Sequence, residues 1–383
     1  MRNKCLGLLT VILLLLLLTG CWDRKELNDR LFEFGSGVDR LKGGEIMLIG
    51  QFLIPTNSKE GGGGGEKSYL IETGVGKTVS DCLYDMQLKL SRRITRTHRH
   101  NIYFGEEMAM AGISDLMDSV TRDPDSRLKS DMWVVKGGTA LEFMEISYPL
   151  EKLPVIALSK LRNIIGKKTG NSLLELLIEE HVEGSGLTLP AVEVLYDPKQ
   201  RKKTIHVYGR AVLNRKQQLA GYYDSMESAY RLWVTGQTNR VPVTVPISDE
   251  KETFSVDVRQ TKCKIRTKFK HGRVEIDVDM KGSAVVLESV PAIDLRNIHH
   301  LNKFEAELNR HVETSILNVI KKAQHQFKVD VFNFGKAFNR QHPSEWTALK
   351  SGWEQAFSNA KITVHSNVKI KRIGLQGPPP NKP

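Results

Sequence analysis

Cys21 is the residue best placed for covalent chemistry, because it follows the small residues Thr19 and Gly20 at the end of an apolar run. A thiol released there as a new N-terminus can carry a diacylglycerol. Arg2 and Lys4 supply a positive start and Leu6 to Leu18 an apolar stretch, the arrangement of a cleavable export signal. The stretch is 13 residues long, whereas a hydrocarbon core of about 30 Å needs roughly 20 apolar helical residues. The polar run Trp22-Asp23-Arg24-Lys25-Glu26 follows at once. The sequence therefore predicts cleavage after residues 1–20, acylation of Cys21, and a Trp22 indole close to the headgroups, where its amphipathic ring is favoured. Each buried acyl methylene contributes about 0.8 kcal/mol, so one chain holds weakly and two or three hold firmly. A plain export signal with an incidental cysteine is the alternative.

Other candidate chemistry is incomplete. Cys5 leaves with the signal, so Cys82 and Cys263 remain as ordinary cysteines. Cys82 falls on the apolar face of a predicted helix and Cys263 within a predicted strand. Both are expected as buried free thiols, with a bridge between them as the alternative, and two cysteines alone make no zinc site. Gly74-Val75-Gly76-Lys77-Thr78 resembles the end of a phosphate-binding loop, but Ile71 stands where the earlier glycine is needed. The segment Gly61 to Ser68 has Glu66 in place of the second glycine, which would set a carboxylate against phosphate. Gly74 and Gly76 are thus expected to shape the turn into a helix from Thr78, with positive φ at Gly76 the conformation that would exclude a β-branched residue there.

His98 and His100 flank Arg99 and could bracket a metal from a strand edge, but no cysteine or carboxylate lies close in sequence to complete the ligands. His299 and His300 diverge by about 100° on a helix. No nucleophile elbow occurs, Ser185 in Gly184-Ser185-Gly186 fits a loop, and the adjacent carboxylates Glu106-Glu107 and Glu179-Glu180 point apart. The expectation is a protein that is not an enzyme and needs no metal or cofactor.

The elements that would carry these residues follow from periodicity. Leu31 to Asp39 and Glu45 to Ile54 read as a hairpin around Lys42-Gly43-Gly44, and Ser68 to Glu72 as a returning strand after the five-glycine tip Gly61 to Gly65. Val79, Leu83, Met86 and Leu90 recur at helical spacing over 78–90. A strand at Asn101 to Phe104, helical material to Val120, a strand at Asp131 to Lys136, and helices at Thr139 to Ile146 and Leu173 to Glu180 continue a mixed α/β pattern. After the strand Leu187 to Leu195 and the basic run Lys199 to Lys203, long alternating strands take over: 204–214, 218–224, 253–258, 263–270 and 273–281. The stripe Leu301, Phe304, Leu308, Val312, Ile316, Val319, Ile320 and Ala323 predicts one long helix packed on the preceding sheet. A shorter helix from Asp330, a helical segment carrying Trp346, Trp353 and Phe357 on one face, and a closing strand Ile362 to Ile373 complete the chain.

These elements imply an α+β protein of three mixed domains: a signal peptide over 1–20, an N-terminal domain over 21–198, an antiparallel β-rich domain over 199–290, a C-terminal domain over 291–373, and a disordered tail over 374–383. A chain of 383 residues is long enough for several cores. The formal charge of +12 falls to +10 when Arg2 and Lys4 leave. A basic exterior suits either an anionic membrane surface or nucleic acid, and export excludes nucleic acid. A scattered, solvated excess of lysine is the plainer account of the same charge.

Taken in order, several segments resemble one family. They are Cys21-Trp22-Asp23 with Glu26-Leu27-Asn28 after a lipobox, Gly76-Lys77-Thr78 before a helix, and His98 followed by Ile102 to Gly105 and Glu106 to Ala109. Arg122-Asp123-Pro124-Asp125 follows, and near the end Asp330 to Gly335 precedes Trp346, Trp353 and the closing strand. The chain resembles the Ger(x)C spore germination lipoproteins, the C subunits of germinant receptors. The resemblance implies three mixed α/β domains, attachment to the spore's inner membrane on the extracytoplasmic side, and multispanning A and B subunits as partners. The one functional residue it carries over is the acylation site, Cys21. A rival expectation is a solute-binding lipoprotein that holds the germinant itself, although such proteins use two similar parallel-sheet lobes around a cleft.

Overall fold

The computed structural model describes residues 27–54, 68–148, 150–151, 153–165, 171–180, 184–199, 201–247, 252–290 and 295–373. The signal peptide, Cys21, Trp22, the tip Gly61 to Gly65 and the tail 374–383 lie outside the described residues.

The first half is built on one large mixed sheet. Its strands are β1 (Arg30–Arg40), β2 (Ile46–Leu53), β3 (Tyr69–Gly76), β4 (Arg93–Thr95), β5 (Asn101–Gly105), β6 (Asp131–Lys136), β7 (Asn171–Ser172), β8 (Leu187–Asp197), β9 (Lys202–Leu213) and β10 (Leu219–Asp224). The main order is β10-β9-β8-β6-β5-β1-β2-β3, with β4 and β7 paired to β1 and β6. The centre, β1-β5-β6-β8, is parallel, and both flanks are antiparallel. Parallel strands require crossovers, here helices on both faces. On one side lie α1 (Val79–Gln87), α2 (Glu106–Ala111), α3 (Ser114–Arg122) and, later in the chain, α6 (Leu173–Glu180), and on the other α4 (Ala140–Met144) and α5 (Pro154–Ile165). Alternate residues of a strand serve opposite faces. Ile102, Phe104, Met132 and Val134 accordingly enter one core, and Tyr103, Trp133 and Val135 the other.

The second half is a four-stranded sheet in the order β11-β12-β13-β14, formed by β11 (Arg240–Ile247), β12 (Glu252–Lys270), β13 (Arg273–Val290) and β14 (Lys361–Arg372). Between β10 and β11 runs α7 (Ser225–Val234). Between β13 and β14 come α8 (Ile298–Lys322), α9 (Phe334–Gln341), α10 (Pro343–Leu349) and α11 (Trp353–Ser358). The predicted stripe of α8 is buried in one core with Val274, Ile276, Val278 and Met280 of β13.

Three expectations change. The strands at 202–213 and 219–224 pair with β8 and extend the first sheet, so they do not join the β-rich middle domain expected from residue 199. Because β14 pairs in parallel with β13, the strands before residue 290 and the helices and strand after it share one sheet and one core. Alternation reveals a strand but not its partner. The helix expected from Asp330 starts instead at Phe334, and the tryptophan segment is broken by a turn at Lys350–Gly352. Finally, α7 and β11 carry signals that periodicity alone passes over. Asp224 and Glu227 form a capping box, and Pro242 and Pro246 occupy the exposed positions of an edge strand, where a missing N–H costs no ladder bond.

The free edge of β14 is covered by side chains of α8. Asn309 accepts from the Val368 N–H at 2.7 Å and donates to the Val368 carbonyl at 3.1 Å. Glu305 accepts from the Ile370 N–H at 2.7 Å and Glu313 from the Ser366 N–H at 2.8 Å. An uncovered edge is a template for pairing with another chain. Asn309→Ala is expected to destabilise the protein by about 1–3 kcal/mol, since it strands the Val368 backbone groups. Urea unfolding measures this, and unchanged stability would mean that water replaces the amide.

Candidate functional site

The described chain begins six residues beyond Cys21, at Leu27, so the acylation site itself has no geometry here. The structure does show what the other sequence candidates are. At the Gly74–Thr78 corner, Thr78 caps α1 by accepting from the Asp81 N–H at 3.1 Å, and Asp81 accepts from the Thr78 N–H at 3.1 Å. Asp85 accepts from the Val75 N–H at 3.0 Å. Donors that would face a phosphate are therefore held by the protein's own carboxylates. Neither Gly74 nor Gly76 has positive φ, contrary to the conformation considered for Gly76. Their role is close approach. A Cβ on Gly74 would lie 1.9 Å from the Cys82 carbonyl oxygen, and one on Gly76 would lie 2.4 Å from Asp81 Cβ.

Cys82 is buried on the inner face of this helix and Cys263 is half-buried on β12, both as free thiols. Burial pushes the Cys263 thiol up to about 12, so it stays protonated and unreactive at neutral pH. His98 meets the Phe32 ring edge-on at 5.0 Å and His100 stacks on Phe34 at 5.8 Å, so aromatic packing accounts for both. His299 and His300 have ring centroids 6.3 Å apart on α8. Among the described residues no group of three or more metal-ligating side chains converges.

Two of the sequence segments that lie far apart along the chain do meet. Arg99, between those histidines, is buried and donates to Ser36 at 3.4 Å and Ser126 at 3.1 Å, while Ser36 donates to the buried Glu33. Arg96 pairs with Asp123 at 2.9 Å. Burial pushes the Glu33 carboxyl up against the opposing pull of Arg99, and burial lowers Arg99. The cluster locks the 96–100 loop and the 123–126 turn against β1.

The most elaborate polar site lies where the two sheets join, and its centre is Asp330. This fully buried carboxylate accepts from the N–H groups of Phe332 at 2.9 Å, Phe334 at 3.3 Å and Gly335 at 2.8 Å, and from the Trp353 indole at 3.1 Å. Burial raises its pKa, and those four donors oppose the rise. The loop so formed reaches back to the first half. The Gly186 N–H donates to the Asp330 carbonyl at 2.8 Å, and Ser185 donates to Asn333 at 3.1 Å. Gly184 sits at φ +80° with the Trp346 and Trp353 rings where a Cβ would be, and a Cβ on Gly186 would strike Val329. From α7, buried Arg231 donates to the Val331 carbonyl at 2.9 Å. Nearby on β9, Arg210 donates twice to Thr188, at 2.9 and 2.8 Å. Burial and the neighbouring Arg231 charge bring Arg210 down to about 9. Across the same junction the Tyr223 hydroxyl donates to the Val319 carbonyl at 2.9 Å.

All four of these bonds to Asp330 hold backbone or indole in place, so this carboxylate is spent on structure. The arrangement joins two halves. Sequence reasoning noted Asp330 to Gly335 and Gly184-Ser185-Gly186 but not their meeting. The signals were an acidic residue just ahead of a glycine-ended apolar run, and an arginine at 231 inside the otherwise apolar Tyr230 to Val234.

Two family models match the chain, and the second of them begins inside β9, a strand of the first sheet. A family model for the spore germination protein N-terminal domain matches residues 23–194, and one described as spore germination B3/GerAC like, C-terminal, matches 208–374. The chain belongs to this family of spore germination proteins. It is similar to spore germination protein KC of Bacillus subtilis (strain 168), with 24% identity over 403 residues covering 99% of this chain and 98% of the relative. Spore germination protein B3 of the same organism is 23% identical, with 95% and 96% covered. The crystal structure of the GerBC protein shares the fold, with a TM-score of 0.58 and 17% identity over 88% of this chain and 97% of that one.

Two outcomes are expected at these sites. Gly74→Ala forces α1 off β3 and should cost about 1–3 kcal/mol, whereas Lys77→Ala stays within about 0.5 kcal/mol of wild type. Thermal unfolding of the pair decides between packing and phosphate binding, because ATP-dependent stabilisation lost in Lys77→Ala would restore the phosphate loop. Asp330→Asn turns one acceptor oxygen into a donor facing two other donors, and should destabilise by about 3 kcal/mol. Trp353→Phe removes only one of the four bonds and should cost less. The reverse ranking in urea unfolding would shift the centre of the junction to the indole.

Proposed function

We propose that this protein is the extracytoplasmic C subunit of a spore germinant receptor, held at the spore's inner membrane by a lipid on Cys21 and acting through contacts with multispanning A and B subunits. The observation that carries this reading is that the two family matches follow one another over nearly the whole chain after residue 22. Relatives named as spore germination proteins align along their full length, which supports a role for the entire chain rather than for one borrowed domain. Anchoring is supported by the signal and small residues before Cys21, and by the fact that no described helix is long and apolar enough to cross a membrane. The chemistry is non-enzymatic in this reading. Its best-organised polar residues, Asp330, Arg210 and Arg231, bond to the protein's own backbone and side chains.

Cys21→Ala tests the anchor. Membrane fractionation of spores should move the variant from the membrane pellet to the soluble fraction, and nutrient-triggered germination should fall with it. Retention in the pellet after a high-salt wash would show that protein contacts alone hold the chain there.

A further inference from the structure

A patch at the end of α1 combines exposed apolar side chains with unpaired cations. Tyr84 and Leu88 lie one turn apart on the outer side of α1 and are 70% and 69% exposed. The inner side of the same helix buries Val79, Cys82 and Met86, so the helix is apolar on two faces. Gln87 folds the following turn back on the helix, donating to the carbonyls of Leu90 at 3.2 Å and Arg92 at 3.0 Å and accepting from the Ile94 N–H at 3.0 Å. Arg92 and Arg93, on that turn just after the helix, are exposed. Among the described residues neither arginine has a carboxylate partner. The one acidic side chain on this end of α1, Asp85, is already bonded to the Val75 N–H and to Lys89. Asp29, at the chain entry, is the other nearby carboxylate.

The position of this patch relative to Cys21 is set by strand register. Arg30 at the start of β1 is the direct partner of Arg93 on β4. The chain therefore enters the fold beside the arginines. From Cys21 to Leu27 it advances six residues, which fully extended span about 20 Å. A lipid at Cys21 cannot hold the membrane farther from this end of the fold than that tether allows.

We propose that the α1–β4 end, through Tyr84, Leu88, Arg92 and Arg93, docks on an anionic lipid surface and fixes how the protein stands on the membrane. An exposed ring and leucine with guanidiniums on the following turn is the composition of an interfacial contact, apolar atoms below the headgroups and cations among them. The proposal rests on the anchored reading for its location. A second basic surface, the outward side of β12 with Lys262, Lys264, Arg266 and Lys268, is the competitor. There Arg266 and Lys268 are paired with Asp279 and Asp277, no large apolar side chain accompanies them, and no register ties them to the chain entry.

The test is vesicle sedimentation of the whole chain from residue 21, carrying Cys21→Ser so that no acyl group contributes. It is expected to bind phosphatidylcholine vesicles containing about a third phosphatidylglycerol and not vesicles of phosphatidylcholine alone. The triple change Leu88→Glu, Arg92→Glu, Arg93→Glu should lower binding at least about tenfold, with unaltered thermal unfolding because all three side chains are exposed. Lys262→Glu with Lys264→Glu should leave binding within about twofold of the parent. No binding to anionic vesicles, equal binding to neutral ones, or loss in the β12 pair but not in the triple variant overturns the proposal. Fractionation of Cys21→Ala is independent of these measurements, so a failed anchor and a failed patch give different results.

Discussion

A carboxylate removed from water must be surrounded by donors or it unfolds its surroundings, and Asp330 makes that requirement the organising constraint of this molecule. Its four donors come from the loop after α8 and from the Trp353 indole, so satisfying one charge sets the path of the chain from the long helix into the tryptophan core. The same loop then presents its carbonyls and Asn333 to Gly186 and Ser185 of the other half, and the Val331 carbonyl to Arg231 of α7. The two sheets are thereby joined through backbone hydrogen bonds and aromatic packing against glycine, with little freedom to slide. Gly184 and Gly186 are necessary because the rings and Val329 occupy the space of a side chain.

Elsewhere the protein protects itself from unwanted association. Asn309, Glu305 and Glu313 bond to the exposed ladder of β14, and prolines sit on the outer positions of β11, so both edges of the second sheet are blunted. Charged side chains are likewise engaged where they can be. Asp257 holds both Arg240 and Arg259, and Lys322 of α8 pairs with Glu227 of α7 at 2.7 Å. Exposed apolar side chains occur elsewhere, Leu195 and Tyr196 near Lys202 and Lys203 among them, but Tyr84 and Leu88 lie at the end of the fold where the chain enters opposite Arg93, which is why a lipid surface is the occupant assigned to them.

The bonds from Gly186 and Ser185 and the packing of the tryptophan rings over Gly184 tie the two halves together where the sheets join. Tethering by six residues and docking by the α1–β4 end would add a fixed attitude to the membrane. Partners embedded in the bilayer would then meet a constant face of the chain.

Much of this was written locally in the amino-acid order. The apolar run before Cys21, the capping box at Thr78, the 3.6-residue stripe of α8 and the alternation of β12 and β13 depend on residues within a turn or two of one another, so periodicity and spacing determine them. The family could be recognised for the same reason, since its short segments recur in order. What the tertiary structure decided is which distant segments meet. Strand alternation is the same whether β9 pairs with β8 or with the strands after it, and β14 could have closed any sheet with a free edge. Nor does the sequence distinguish a solvated acid from the buried Asp330, or a turn glycine from Gly74, whose missing side chain makes room for a helix. Burial and close approach are properties of pairs of residues far apart in the chain, and only the packed fold brings those pairs together.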